Sequence, residues 1–374
     1  MSANLRMMLL MGAMLPAPAP AVLLDALQSV QVTSSSGGAS GFQLAFDVAK
    51  RSPVTQVLLP SGALDPKTRV IVVAVVAGVP HVLMDGVVTR QELNPGASPG
   101  TSQLTLTGED LTLLMDLRHV KRSFPGLPYN LRAMAVCADY AQYGIVPLAV
   151  PTVISNLPPD PTQEIPGQSS TDLAYLKSMA DKAGYTFFLE PGPVPGVSLA
   201  YWGPEVRAGL LQPALTVDSG TATNVESLTF GYDGLSRTQY TIPLTEPNTK
   251  IMFELPVPDV SVLRPPLAVR PALTMREEPL PDLTGRSVPE ALLLGLSRTS
   301  SSSDAVTGSG KLDVLRYGHV LSARHLVGVR GAGIAYDGVY YVRSVTHDIR
   351  RGAYKQSFTL SRDGLVSNTP VVIP

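Results

Sequence analysis

The sequence predicts a mainly β chain with a small α+β insert: two tube-like antiparallel β-barrels plus a middle α/β domain. Three observations carry that prediction. Glycine (32) and proline (34) are both abundant among the 374 residues, which favours strands and loops over helix bundles. Several stretches alternate apolar and hydroxyl residues with period two, as a strand with one buried face does. One pattern of strands also occurs twice, at Val70–Leu111 and Leu326–Leu365.

The first copy contains the apolar run Val70 to Val76, then Asp85-Gly86-Val87-Val88, then Leu104-Thr105-Leu106-Thr107 with Gly108-Glu109-Asp110-Leu111 after it. The second runs Leu326-Val327-Gly328-Val329, then Asp337-Gly338-Val339-Tyr340, then Phe358-Thr359-Leu360-Ser361 and Arg362-Asp363-Gly364-Leu365. Each copy reads as strand, turn, strand, turn, strand. The Asp-Gly pairs are expected at the turns, because glycine tolerates positive φ. Glycine-bearing loops are expected at Asn94–Gly100 and Arg350–Gly352.

The chain divides accordingly. Residues 1–22 form an N-terminal apolar segment, with Arg6, an apolar run from Met7 to Leu15, and alternating Pro and Ala up to Ala21. It reads either as an arm that packs on a neighbouring subunit or as a secretory signal. The run is too short to span a bilayer. Residues 23–110 form the first barrel and 111–211 the middle domain. There, Leu131 to Tyr143 predicts a helix stopped by Gly144. Ser170 is expected to cap a second helix, with Asp172 in its first turn, Leu173, Leu176 and Ala180 on one face, and Gly184 at its end. A hairpin of Tyr185–Leu189 and Val197–Trp202 follows, and the proline-bearing 157–168 reads as a loop. Residues 212–374 form the second barrel. It includes a proline-rich extended segment at 256–281 and a Ser-rich loop at 297–310.

Charge and cysteine content exclude several functions. Lys and Arg number 29 against 30 Asp and Glu, a net charge of −1, so no broad basic surface awaits nucleic acid. Charged residues make up 16% and apolar residues 44%, a composition suited to a subunit that buries much of its surface against partners. The lone Cys137 permits neither an intrachain disulfide nor a Cys-rich zinc site, and reads as a small buried hydrophobe.

No catalytic, cofactor or metal residue emerges. His81, His119, His319, His325 and His347 lack metal-ligand spacing. Gly328-Val329-Arg330-Gly331-Ala332-Gly333 lacks the order of a phosphate loop and reads as a tight β bend. The adjacent carboxylates Glu109-Asp110 and Glu277-Glu278 read as solvated positions, Asp85 and Asp337 as turn residues. The tyrosines and Trp202 read as strand and interface residues. The alternative to a structural subunit is a cell-wall hydrolase or polysaccharide-binding module, for which two carboxylates would have to face each other across a cleft.

Several segments resemble a known family. These are Leu23 to Phe46, Gly108–Leu111 with Met115-Asp116, Ser169 to Leu189, Leu315–Gly318, Tyr336–Val342, Val345–His347 and Gln356–Arg362. In that order they resemble phage late control protein D and related hubs of extracellular contractile injection systems, over most of residues 23–366. The resemblance implies a homotrimeric baseplate hub that joins a hexameric inner tail tube to a trimeric spike among other baseplate components. It implies a place in a phage tail or injection particle, assembled in the bacterial cytoplasm, with no enzyme activity and no cofactor. Type VI secretion relatives carry a spike β-helix after the hub, whereas this sequence ends at Pro374. The spike, and any wall-digesting lysozyme domain, is therefore expected on a separate protein.

Overall fold

The computed structural model describes residues 5–96, 102–151, 165–245, 252–257, 264–281, 283 and 288–369. The chain is mainly β. Thirteen strands share one large sheet. Its first half is a six-stranded unit in the spatial order Leu27–Ser35, Gly41–Val48, Ser102–Asp110, Val79–Asn94, Arg69–Val76, Leu5–Gly12. Its second half is another, in the order Val225–Tyr232, Val306–Asp313, Ala353–Arg362, Gly338–Arg350, Leu326–Arg330, Leu211–Thr216. The two units are joined edge to edge, and one apolar core runs through both.

The alternating stretches form strands as expected. Leu104 and Leu106 are buried and Thr105 and Thr107 are not, while Tyr354, Gln356, Phe358 and Leu360 face inward from Ala353–Arg362. The apolar run in Arg69–Val76 is buried on nearly every residue, since both of its faces are covered.

The Asp-Gly turns are corrected in one copy. The hairpin between Arg69–Val76 and Val79–Asn94 turns at Ala77-Gly78, with φ of 48° and 85°, as a two-residue primed turn requires. Asp85-Gly86 instead lies inside the strand Val79–Asn94, and a Cβ on Gly86 would meet the Glu109 carbonyl oxygen at 2.2 Å. Gly338 does have positive φ, 121°, and opens its strand.

Residues 5–12, within the segment read as an arm, form a strand of this chain's own sheet. It pairs from Leu5 opposite Val76 to Gly12 opposite Arg69, and Leu5 and Leu9 are buried. Part of the segment's apolar character thus serves its own unit, while Met8, Met14 and Leu15 stay exposed.

The middle region has its own core around Met115, Val136, Cys137, Leu176, Met179 and Trp202. The first expected helix is Tyr129–Ala138, followed by a 3₁₀ turn at Ala141–Tyr143, and Gly144 ends it in the left-handed region. The second is Asp172–Ala183, stopped by Gly184. Its N-cap is Thr171 rather than Ser170: the Thr171 hydroxyl accepts from the Ala174 backbone N–H at 3.2 Å. The hairpin Thr186–Pro191 and Ser198–Gly203 gains a third strand, Ile145–Ala149, parallel to the latter. Most of the loop expected at 157–168 lies outside the described residues, as does most of the 94–100 loop.

The Ser-rich loop at 297–310 is also corrected. Its first part ends the helix Val288–Ser302, and its last part begins the strand Val306–Asp313, central in the second unit. Glycines occupy inward positions of that strand because rings fill the space above them. A Cβ on Gly308 would meet Phe230 Cε1 at 3.0 Å, and one on Gly310 would meet Phe358 Cζ at 2.7 Å. The proline-rich 256–281 is extended where described, in short pieces: Ala268–Pro271 pairs with Gly364–Ser367, and Arg276–Pro279 pairs with Thr238–Thr245. Residues 238–302 form an insertion with a small core of Ile242, Val257, Leu280, Ala291 and Leu294.

One packing prediction follows directly. A Cβ on Gly108 would fall 2.2 Å from Phe42 Cζ and 2.4 Å from the Val87 carbonyl oxygen. Gly108→Ala is expected to destabilise the fold by about 1–3 kcal/mol through overpacking, measured as a lower urea midpoint at unchanged slope.

Candidate assembly interface

The two units meet along one seam. Leu27–Ser35 of the first pairs antiparallel with Gly338–Arg350 of the second, from Ser35 opposite Ser344 to Ser29 opposite Arg350. Val30, Val32, Val345 and Ile349 bury their side chains along it. The Thr33 and Thr346 hydroxyls lie 3.1 Å apart on the other face. The Ser36 N–H donates to the Arg343 carbonyl oxygen at 2.8 Å and Arg324 Nη2 to that of Ser35 at 2.7 Å, which extends the seam beyond the strands.

Five of the six described strands of each unit match residue by residue; the sixth pairs antiparallel in the first unit, Leu5–Gly12, and parallel in the second, Leu211–Thr216. Across the first sheet runs the row Val32, Phe42, Gly108, Val88, and across the second runs Phe230, Gly308, Leu360, Val342. Bulges fall at the same offsets from these rows. One lies between Leu27 and Ser29 and its counterpart between Val225 and Ser227; another lies between Val88 and Arg90 and its counterpart between Val342 and Ser344. A bulge is a positional device, so two matching pairs of bulges are a strong mark of duplication. Beside each row a non-glycine residue takes positive φ, Lys67 at 75° and Arg324 at 65°. Each donates its N–H to the row residue, Lys67 to Val88 and Arg324 to Val342, both at 2.8 Å. Bulky side chain and glycine trade places between the copies: Phe42 sits opposite Gly108 in one, and Gly308 opposite Leu360 in the other.

On this alignment the Asp-Gly pairs are not equivalent. Asp85 lies three residues before Val88, Asp337 five before Val342. The sequence match there was a near coincidence within a true repeat. The insertion 238–302 occupies the place of the short 36–40 turn of the first unit.

Among the described residues, the duplication leaves two edges open. Gly338–Arg350 carries the seam on its C-terminal half; the matching half of Val79–Asn94, residues 90–94, is paired only to Ser102–Asp110 and is exposed throughout. Leu27–Ser35 is paired on both sides; its counterpart Val225–Tyr232 ends the sheet, paired only to Val306–Asp313. Leu93 and Tyr232 are each 45% exposed on these free edges.

Buried charges brace the units. The Arg69 guanidinium donates to both Asp85 oxygens, at 2.8 and 2.6 Å, and to the carbonyl oxygens of Met14, Tyr143 and Gly196. This ties the first unit to the middle region. A second cluster gathers Arg207, Arg264 and Arg343 around Asp304, with Glu205 beside Arg207 and Arg264. Arg207 engages Asp304 by two bonds of 2.6 Å. Arg343 is the residue at the seam-strand bulge.

The side chains weighed for chemistry take structural places. Asp85 neutralises Arg69. The Asp337 carboxylate accepts from the Ala332 N–H at 2.7 Å. Asp110 accepts from the Thr112 N–H at 3.0 Å, and burial raises its carboxyl. Glu277 and Glu278 are exposed on a short strand. Gly331 and Gly333 take φ of 89° and 92° at a bend, and a Cβ on Gly331 would meet the Val217 carbonyl oxygen at 1.9 Å. Cys137 is buried, which pushes its thiol up to about 12. Trp202 packs in the middle core and donates to the Leu176 carbonyl oxygen at 3.3 Å. His347 is buried, with Nδ1 2.7 Å from the Tyr354 hydroxyl, and burial drops its imidazole to about 3. His325 Nδ1 lies 2.9 Å from the Ala323 carbonyl oxygen. Among the described residues no three His, Cys, Asp or Glu side chains are grouped to hold a metal, and no helix is long and apolar enough to cross a membrane.

No family profile matches the sequence, and no curated protein does. Solved structures do. A tail protein of Neisseria meningitidis matches with TM-score 0.62 at 15% identity, over 97% of this chain and 98% of that one. A 43 kDa tail protein of prophage MuSo2 from Shewanella oneidensis matches with TM-score 0.66 at 12% identity, over 97% and 100%. A type VI secretion component of E. coli, itself described as structurally similar to two T4 bacteriophage tail proteins, matches with TM-score 0.56 at 11% identity, over 93% and 77%. The chain therefore shares its fold with these tail proteins and this type VI secretion component, across nearly its whole length.

Proposed function

We propose that this chain is the structural hub of a contractile-tail or injection-system baseplate. Three copies form a ring of six β units that adapts a hexameric inner tube to a trimeric spike. The observation that carries this reading is the duplication: one chain holds two copies of the unit, already joined by one seam, with the edges for further seams left open. A head-to-tail contact repeated around a closed ring gives each chain the same two neighbours. With two units per chain, three chains offer a tube six similar docking positions while keeping threefold symmetry for the spike. The fold shared with tail and spike proteins supports the setting, a phage tail or injection particle assembled in the cytoplasm. Inner tube protein, spike and other baseplate subunits are its partners in this reading, with no catalytic role of its own.

The test is the mass of the purified protein, alone and with tube protein. A particle of three chains that binds the end of a tube is expected. A monomer that never joins tube or spike defeats the reading.

A further inference from the structure

The internal seam is a template for the seam between chains. We infer that Val225–Tyr232 of one copy adds as an antiparallel strand to residues 90–94 of the next copy, in the register that Leu27–Ser35 and Gly338–Arg350 already use within the chain. This deepens the hub reading and rests on it for the number of copies.

The register follows from the matched rows. Val32 corresponds to Phe230 and Val342 to Val88, so each seam residue has a counterpart. Ser344 opposite Ser35 becomes Arg90 opposite Asp233 of the next copy, and Thr346 opposite Thr33 becomes Glu92 opposite Gly231. Between them Gln91 faces Tyr232; beyond them Leu93 faces Phe230 and Asn94 faces Thr229. Three features fit a second copy of this chain as the occupant. Both edges are exposed and, among the described residues, their backbone groups on the open side have no strand partner, a state that strand addition relieves. The pairing brings a cation, Arg90, against an anion, Asp233, at the position where the internal seam has two serines. Leu93 and Phe230, partly exposed in the single chain, meet where the internal seam buries Val32 beside His347. The bulges after Leu27 and after Val225 give both donor strands the same bend.

Paired cysteines test the register. The Thr33 and Thr346 hydroxyls are 3.1 Å apart, so side chains at this position face each other across the seam. The equivalent pair across chains is Glu92→Cys with Gly231→Cys. A Cβ on Gly231 would have Thr307 Oγ1 at 3.4 Å as its nearest neighbour, so the site has room. Native Cys137 is buried and stays in place. Oxidation of the double variant is expected to give a covalent ladder on a denaturing gel, ending at the ring size. Either cysteine alone, or Glu92→Cys with Thr229→Cys two residues out of register, is expected to lose the ladder. If the Gly231 variant fails to fold, charge reversal replaces it. Arg90→Glu or Asp233→Arg alone is expected to shift the particle towards monomer, and the two together to restore it. A particle of three chains that shows neither in-register crosslinks nor charge rescue overturns the inferred seam and leaves the hub reading standing. A protein monomeric under every condition, tube protein included, overturns both.

Discussion

Asp85→Ala is expected to cost about 3–5 kcal/mol of folding stability, a large share of the roughly 5–15 kcal/mol that holds an ordinary domain folded. The reason is the charge left behind. Arg69 is 2% exposed, and its carboxylate partner is fully buried. With Asp85 gone, a guanidinium remains in the interior with only carbonyl oxygens around it. Those carbonyls, of Met14, Tyr143 and Gly196, belong to three separate stretches of chain, so the loss spreads beyond the first unit. Replacing both partners, Arg69→Met with Asp85→Leu, removes the buried charge. It is expected to recover only part of the loss, because the three carbonyls then lack their donor. Urea unfolding of the single and double variants checks both statements. An Asp85→Ala protein as stable as the parent would show that the ion pair is not a brace.

Asp304→Ala is expected to be as damaging, and to loosen the seam itself. Three arginines converge on this one carboxylate, and Arg207 is 2% exposed. Removing it places like charges together in a buried site, again at about 3–5 kcal/mol. Arg343 sits at the bulge from which the seam-bearing half of Gly338–Arg350 begins, so amide exchange along 344–350 should accelerate more than along Ser102–Asp110. The same cluster sets a pH dependence. Burial by itself would raise the Asp304 carboxyl, but the hydrogen bonds from Arg207 and the charges of Arg207, Arg264 and Arg343 override it and hold the group below the usual carboxylate range. Glu205 is held low by the same arginines against the same burial. A carboxyl depressed in the folded state adds stability that is fully present above its unfolded value and is lost as the pH falls below it. The wild type should therefore lose stability below about pH 4, and the Asp304→Ala variant should show a shallower acid limb.

The sequence showed the fold class and the repeat because both rest on short-range patterns. Period-two alternation at 104–107 and 358–361 needs only neighbours to be visible. Gly144 and Gly184 were legible as helix stops for the same reason. What escaped depends on partners far away in the chain. Asp85 looked like a turn residue because Asp-Gly is a turn signal; its true partner is Arg69, and the true turn is Ala77-Gly78, which carries only one glycine. The start of the strand Val306–Asp313 looked like part of a loop because 297–310 is polar and Ser-rich, and its glycines at inward positions are explained only by the Phe230 and Phe358 rings. The candidate interface was the least legible part. The repeat suggested two units, but the seam pairs residues more than three hundred apart, and the bulges that align the copies leave no mark in composition.

In the proposed assembly, three chains close a ring of six β units through seams like the internal one. An end-on electron-microscopy reconstruction of the purified particle, computed without imposed symmetry, tests it most directly. A threefold ring with six similar lobes is expected, with continuous strand pairing at all six junctions, three within chains and three between Val225–Tyr232 and residues 90–94. A ring of another order, or three chains meeting through other surfaces with those edges still open, would contradict it.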